Sequence, residues 1–294
     1  MHLDLLGKVR RLLDRERKYH PLTIPQTYYL MVKAGLASRS MNGLADVSAL
    51  LTAGLLKGQL PVTALESAAP AVVAGGAWEN VDEFIRAELA DFLWGYRRYL
   101  MQGQARYVEV WLEEPSLAPS ISSVALDYCI STVVCPKTPS VSFFSALRRR
   151  LEDLWQPKPE VVVLYLGDYD PVHGDALTDL QETLRSEGGF WDVTLKRVAL
   201  TRDIVIDKEL PCRPEQAPRR GELEVQVPEP GTVLVELEAL PPRNLHAILR
   251  KSIEAELDME LVKNQKAIQT REQAVLTRLR ADILREIDYL LKRR

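Results

Sequence analysis

Cysteine and histidine are scarce in this chain. Its 294 residues include three cysteines and four histidines. Cys129, Cys135 and Cys212 lie far apart with no CxxC pair, which argues against a zinc site or a disulfide framework and points to a reducing, cytoplasmic setting. No stretch approaches the roughly 20 apolar residues that span a bilayer. The opening MHLDLLGKVRRLLDRERKYH lacks the long apolar run of a secretory leader. There is no GxxxxGK[ST] phosphate loop and no serine in a nucleophile elbow, so ATP hydrolysis by this chain alone is not expected. An excess of one charge is missing too. Lys and Arg total 38 against 41 Asp and Glu, a net charge of -3. That excludes a small protein coating DNA through bulk positive charge, yet it leaves room for basic patches beside an acidic site.

What is present is a globular composition, 46% apolar and 27% charged, sufficient for a core without disulfides. The length suits one large domain or two ordinary ones. Residues 1–100 read as helical. Leu3, Leu5, Leu6, Val9, Leu12 and Leu13 recur at helical spacing. Pro21 and Pro25 stop that helix, Thr23 can cap the next, and Gly35 is placed to end it. A third helical pattern follows in NGLADVSALLTAGLLKGQLP. Short helices broken by small turns suit a winged-helix-like DNA-binding module or a plain helical bundle. The run WENVDEFIRAELADFLWGYRRYL reads as one amphipathic helix with an acidic start and a basic end, matched to its dipole.

From Tyr107 the pattern alternates. YVEVWL, STVVC, VVVLYL and WDVTLKRVAL read as strands. SLAPSISSVALDYC, VSFFSALRRRLEDLW (capped by Ser140) and DALTDLQETLRS read as helices. Apolar strands alternating with helices predict a mainly parallel, Rossmann-like sheet covered on both faces over 105–258. TVLVELEAL reads as a further strand, and Pro241 and Pro242 as a helix start. Residues 259–294 read as one long polar helix, with Leu261, Ile268, Val275, Leu279, Ile283, Ile287 and Leu290 on one face, placed to meet a partner or the body of the protein.

Two acidic clusters follow strands. Glu113, with Glu114, comes directly after YVEVWL. Asp168 and Asp170 come directly after VVVLYL. In a parallel sheet both strands end on one side, so their loops can converge. Carboxylates meeting there repel unless a cation joins them. Magnesium or manganese, held by carboxylates and completed by phosphate oxygens, fits that donor set. The competing explanation is turn chemistry, since Gly167 and Pro171 make D-x-D-P a good turn. Asp175 can join the metal set or cap the helix DALTDL. His173 lies close to the acidic loop, while His2, His20 and His246 are dispersed. The basic run Arg148, Arg149 and Arg150 can meet phosphate or form a solvated helix face.

VEVWLEEPSL followed by VVVLYLGDYDP resembles the Toprim domain of topoisomerases, primases and related nucleases, and most of all the A subunit of type IIB topoisomerases (topoisomerase VI) and the related meiotic break-forming transesterase. VELEALPP at 235–242 is similar to a run near the end of that domain in bacterial proteins of this kind. The resemblance covers about 105–258. It implies metal ligation by Glu113, Asp168 and Asp170, with Glu113 also a general acid or base. It implies DNA as substrate, a homodimer, and an ATPase partner subunit in some members. It sets Tyr29, second of the pair Tyr28–Tyr29, in the place of a nucleophile that would hold DNA as a phosphotyrosine. A packing role for both tyrosines is the alternative.

The chain departs from that pattern in three places. Pro25 and Gln26 stand where an arginine and an acid precede the tyrosine pair. Glu114 and Pro115 replace Lys-Asp. CPKTPS at 135–140 replaces an Arg-Gly-Tyr-like run, with Lys137 left as a DNA contact and Arg148 as a second. Two readings follow. One is a metal-dependent DNA nuclease or topoisomerase-like strand transferase. The other is a catalytically decayed Toprim protein serving as a DNA-binding or scaffold subunit. A small-molecule phosphotransferase ranks below both, because no nucleotide motif supports it.

Overall fold

The computed structural model describes residues 2–40, 42–65, 77–136, 138–154, 158–171, 176–212 and 234–292. Three helices come first: α1 (His2–Arg15), α2 (Ile24–Lys33) and α3 (Gly43–Leu56). Thr23 caps α2 in a full capping box. Its hydroxyl accepts from Gln26 N at 3.1 Å, and Gln26 Oε1 accepts from Thr23 N at 3.0 Å. Both orphan donors at the helix start are thereby satisfied. Gly35, at φ +68°, follows α2 in the left-handed conformation that ends helices.

Helix α4 (Val81–Ala90) is shorter than the expected amphipathic helix. The chain leaves helical geometry after Ala90, and Leu93 (φ 60°) and Gly95 (φ 78°) adopt left-handed backbone. The basic end of that run therefore does not complement the α4 dipole.

The alternating segment forms β1 (Arg106–Leu112), α5 (Ala118–Ala125), β2 (Ser131–Val134), α6 (Val141–Glu152), β3 (Glu160–Leu166), α7 (Ala176–Ser186), β4 (Val193–Ala199), α8 (Arg202–Asp207) and α9 (Pro242–Glu256). The four strands make one parallel sheet in the order β2-β1-β3-β4. The expected parallel α/β architecture is therefore present. Over the described part of TVLVELEAL, from Leu234, the expected strand does not form. That part makes a single antiparallel bridge, Val235 to Tyr169, and then turns through a 3₁₀ segment at Leu237–Ala239.

Side chains alternate across the sheet. On one face Tyr107, Trp111, Val161, Val163, Tyr165, Val193 and Leu195 meet Leu147 and Leu151 of α6 and Leu180 and Leu184 of α7 in a continuous core. Helices α5 and α9 pack together, and α9 lies on β1, β3 and β4. Glu109 sits inside the first of these cores, with no exposed surface. It accepts from Tyr107 Oη at 2.8 Å, Trp111 Nε1 at 2.7 Å, and Arg150 Nε and Nη2 at 2.7 and 3.2 Å. A buried carboxylate is tolerable only when paired and hydrogen-bonded in this way.

His246 of α9 shares a 2.8 Å hydrogen bond with Ser120 of α5. Burial, followed by the charges of Arg250 and Lys18, lowers its pKa to about 4. Between the ordinary value of 6.5 and about 4, the unfolded chain binds a proton that the folded chain refuses. Stability is thus complete above pH 6.5 and declines as pH falls towards 4, by about 2 kcal/mol from this group. Melting followed from pH 7 to 4.5 is expected to show a steeper acid loss in the natural chain than in His246→Gln. Equal slopes would contradict this assignment.

Residues divide into two compact units. One comprises 1–67 and 105–257, the other 68–104 and 258–294. The first helices thus group with the sheet. The second unit contains α4 and the long helix α10 (Met259–Leu291). Within it Arg280 donates to the carbonyls of Leu89, Ala90 and Phe92 at the end of α4. Arg98, from the expected basic helix end, instead pairs with Glu272 at 2.9 Å. Val275, Leu279 and Leu290 of α10 are exposed. Among the described residues no helix is long and apolar enough to cross a membrane, and Cys129, Cys135 and Cys212 are free thiols.

Candidate active site

β1 and β3 are the two central strands, and the chain leaves them towards opposite edges, β2 on one side and β4 on the other. Their carboxyl ends mark the topological switch point, where open parallel sheets form their binding crevice. Glu113 lies one residue past β1, and Gly167 and Asp168 lie just past β3. The ladder continues beyond the strands, with Glu113 N donating to Leu166 O at 3.0 Å and Gly167 N to Ala199 O at 2.7 Å.

Glu113 and Asp168 are in direct contact. Asp168 N donates to Glu113 Oε2 at 3.0 Å. A Cβ at Gly167 would stand 2.4 Å from the same Oε2, so any larger residue would push the carboxylate out of its present position. The glycine that the sequence offers as turn chemistry therefore also cradles the acid. The other oxygen, Glu113 Oε1, is buried without a hydrogen-bond partner. An orphaned carboxylate oxygen is costly unless something cationic or protic meets it. Two neighbours respond to this acid. Burial, and then the Glu113 charge, push the Cys135 thiol up to about 12. The same two causes, with a hydrogen bond from the phenol to the Glu113 carboxylate, raise Tyr165 well above its ordinary range, so Tyr165 is the protic neighbour of this acid even though Oε1 itself has no well-formed bond. Cys135 is therefore a thiol at neutral pH and no nucleophile.

Asp168 is held by a third segment. Its Oδ1 accepts from Leu237 N at 2.9 Å, and Tyr169 and Val235 exchange two 2.9 Å backbone bonds. This pairing carries Glu236 and Glu238 to the rim of the site. Glu238 accepts from Thr23 Oγ1 at 2.7 Å and Ser116 Oγ at 3.3 Å. Burial raises its pKa to about 7; the two hydrogen bonds oppose this, and the charges of Glu114 and Glu236 add to it. The sequence reading missed both acids as site residues. The alternate glutamates of VELEAL were the available signal.

Asp168 and Asp170 line one cleft of about 380 Å³ together with Arg197, Thr201 and Arg202. Arg197 Nη1 donates to Asp168 O at 3.2 Å, and its guanidinium lies 5.4 Å from the centre of the Tyr165 ring. A register shift between β3 and β4 falls at this point, pairing Tyr165 with Arg197 but Leu166 with Ala199. Such bulges re-aim side chains beside functional sites. A cleft lined by both carboxylates and guanidinium groups suits a ligand that needs both a cation and an anion contact, such as a phosphoester with its metal. Among the described residues no three His, Cys, Asp or Glu side chains are arranged to hold a metal ion.

Tyr29 lies 5% exposed and donates to Glu236 Oε2 at 2.8 Å. Burial, followed by the Glu236 charge, raises its phenol far above the ordinary value. Tyr28 is fully buried, stacked edge-on to Tyr29 with ring centroids 5.2 Å apart. Both tyrosines occupy packing positions between α2 and its neighbours. Arg148 is engaged internally, donating to Gly188 O at 3.1 Å and lying over the Phe190 ring. Lys137, His173 and Asp175 lie outside the described residues. His20 bonds Leu13 O at 3.0 Å, remote in role from the acids.

No protein-family model, curated protein or solved structure matches this chain.

Proposed function

We propose that this chain is a divalent-metal-dependent enzyme acting on DNA phosphodiesters, with a Toprim-like domain on the α/β unit and a winged-helix-like DNA-binding part in its first helices. One observation carries the reading. At the switch point of the sheet, the Glu113 carboxylate accepts from Asp168 N, packs directly against Gly167 and leaves its buried Oε1 without a well-formed hydrogen bond. The all-oxygen donor set Glu113, Asp168 and Asp170 fits magnesium or manganese rather than a thiol-seeking metal. When bound, the ion would supply charge stabilisation to the phosphate oxygens. Arg197 and Arg202, which line the same cleft, orient the non-bridging oxygens. Glu113, beside the reacting phosphate, is placed to move a proton.

Of the two chemistries, hydrolysis is favoured over a covalent tyrosine. The Tyr29 hydroxyl is buried, its proton is committed to Glu236, and burial and negative charge oppose phenolate. Supercoiled plasmid incubated with magnesium or manganese is expected to be nicked or linearised, leaving free DNA ends, and Tyr29→Phe is expected to retain the activity. Protein attached to DNA on denaturing gels, lost in Tyr29→Phe, would overturn the hydrolytic reading. A homodimer and an ATPase partner subunit are what the Toprim resemblance adds.

The second reading is a DNA-binding or scaffold subunit. It is favoured by the lack, among the described residues, of three side chains arranged around one cation position. It requires DNA binding without metal-dependent cleavage in the same plasmid assay.

A further inference from the structure

A second cavity in the sheet-bearing unit lies between α2, the segment after α8 and the turn after Glu238. It measures about 260 Å³, and Gln26, Tyr29, Lys33, Arg39, Lys208 and Glu238 are among its lining residues. Three cations thus face a space that also touches two acids, Glu238 and Glu209. Glu238 is already occupied by the hydroxyls of Thr23 and Ser116. Glu209 is exposed.

Two lining side chains carry donors with nothing to donate to. Gln26 is 1% exposed; its Oε1 is taken by Thr23 N in the capping box, and its buried Nε2 has no partner. The capping box thus explains one end of this side chain and leaves the other unexplained. Arg39 donates from Nη2 to Cys212 Sγ at 2.6 Å, while its buried Nε has no partner. Stranded donors of this kind are rare in folded proteins and mark places where an acceptor is missing. An acceptor serving an amide, a guanidinium and two ammonium groups must be anionic and must offer several oxygens. The volume falls just below the roughly 300–1,000 Å³ of drug-sized sites, so the occupant is compact and is not a duplex.

We infer that this cavity binds a phosphate group, either free phosphate or the monoester of a small sugar, held by Gln26 and Arg39 within and by Lys33 and Lys208 at the mouth. The cavity adjoins the acidic crevice at Glu238 but shares no lining residue with the cleft of Asp168 and Asp170, and it does not depend on the function proposed there. Lys33 and Lys208 are exposed, so their replacement leaves the fold intact. The test is thermal melting of the full chain with inorganic phosphate or ribose 5-phosphate at about 10 mM, against sodium chloride of equal ionic strength. With affinity on the order of 1 mM, the melting temperature is expected to rise by about 3–5 °C. Lys33→Ala with Lys208→Ala is expected to weaken binding about tenfold or more, while replacing an exposed lysine elsewhere, Lys251→Ala on α9, leaves it unchanged. A larger shift with ribose 5-phosphate assigns an organic monoester, and an equal shift assigns free phosphate. No shift with either probe, or a shift undiminished by the double lysine replacement, would overturn the site.

Discussion

Replacing Asp168 and Asp170 together by alanine is expected to lower metal-dependent plasmid nicking by on the order of 10³-fold or more, the scale of losing a main source of transition-state charge stabilisation. Both acids line the cleft shared with Arg197 and Arg202. Removing them deletes the carboxylates of the cleft while leaving its arginines in place, so DNA binding is expected to persist as cleavage disappears. Asp168 also fastens the segment after Val235 by accepting from Leu237 N. Asp168→Asn keeps an oxygen acceptor for that bond while removing the charge, so it separates metal chemistry from anchoring. If nicking survives the double alanine change, the acids are turn formers and the site assignment fails.

Arg150→Met is expected to be the most damaging single change to stability, costing about 3–5 kcal/mol. It strips the charge partner from Glu109, which is fully buried in the core between the sheet and α6 and α7. Tyr107 and Trp111 can still donate to the carboxylate, but two neutral donors do not balance a buried negative charge. For a unit of this size the melting temperature is expected to drop by about 10 °C. Adding Glu109→Gln to Arg150→Met is expected to recover most of that loss, because a neutral amide can accept from Trp111 Nε1 through its oxygen and donate through its NH2 to Tyr107 Oη. An Arg150→Met variant that melts like the natural chain would show that the pair contributes nothing, and recovery tests the mechanism by double-mutant logic.

The elements that sequence patterns placed well are those governed by local rules. Apolar runs bounded by turn residues located β1 to β4, and their alternation with helices gave a parallel sheet. The Thr23 cap, Gly35 and the Pro242 helix start were legible because each acts within a turn of its own position. Failures came where distant partners decide. The amphipathic pattern after Trp78 continues past Ala90, but left-handed backbone at Leu93 and Gly95 ends the helix, and Arg98 is used by Glu272 of α10. VELEAL has the alternation of a strand, yet a single bridge to Tyr169 and the Leu237 N–Asp168 bond are what hold it. A basic run on a helix says nothing about which arginine turns inward. Arg150 does so, towards Glu109, while Arg148 stays exposed and reaches Gly188 O, each target about 40 residues away in sequence. The pairing of Glu113 with Asp168 was readable from strand ends alone, whereas the Gly167 cradle and the orphaned Oε1 are properties of packing.

The most direct test of the central claim is a manganese titration followed by electron paramagnetic resonance, comparing the natural chain with Glu113→Gln and Asp168→Asn. The account predicts that the natural chain takes up an ion at the crevice, that each variant weakens this uptake by about tenfold or more, and that magnesium competes for the same site. Manganese binding of equal strength in all three proteins, or none in the natural chain, would contradict it.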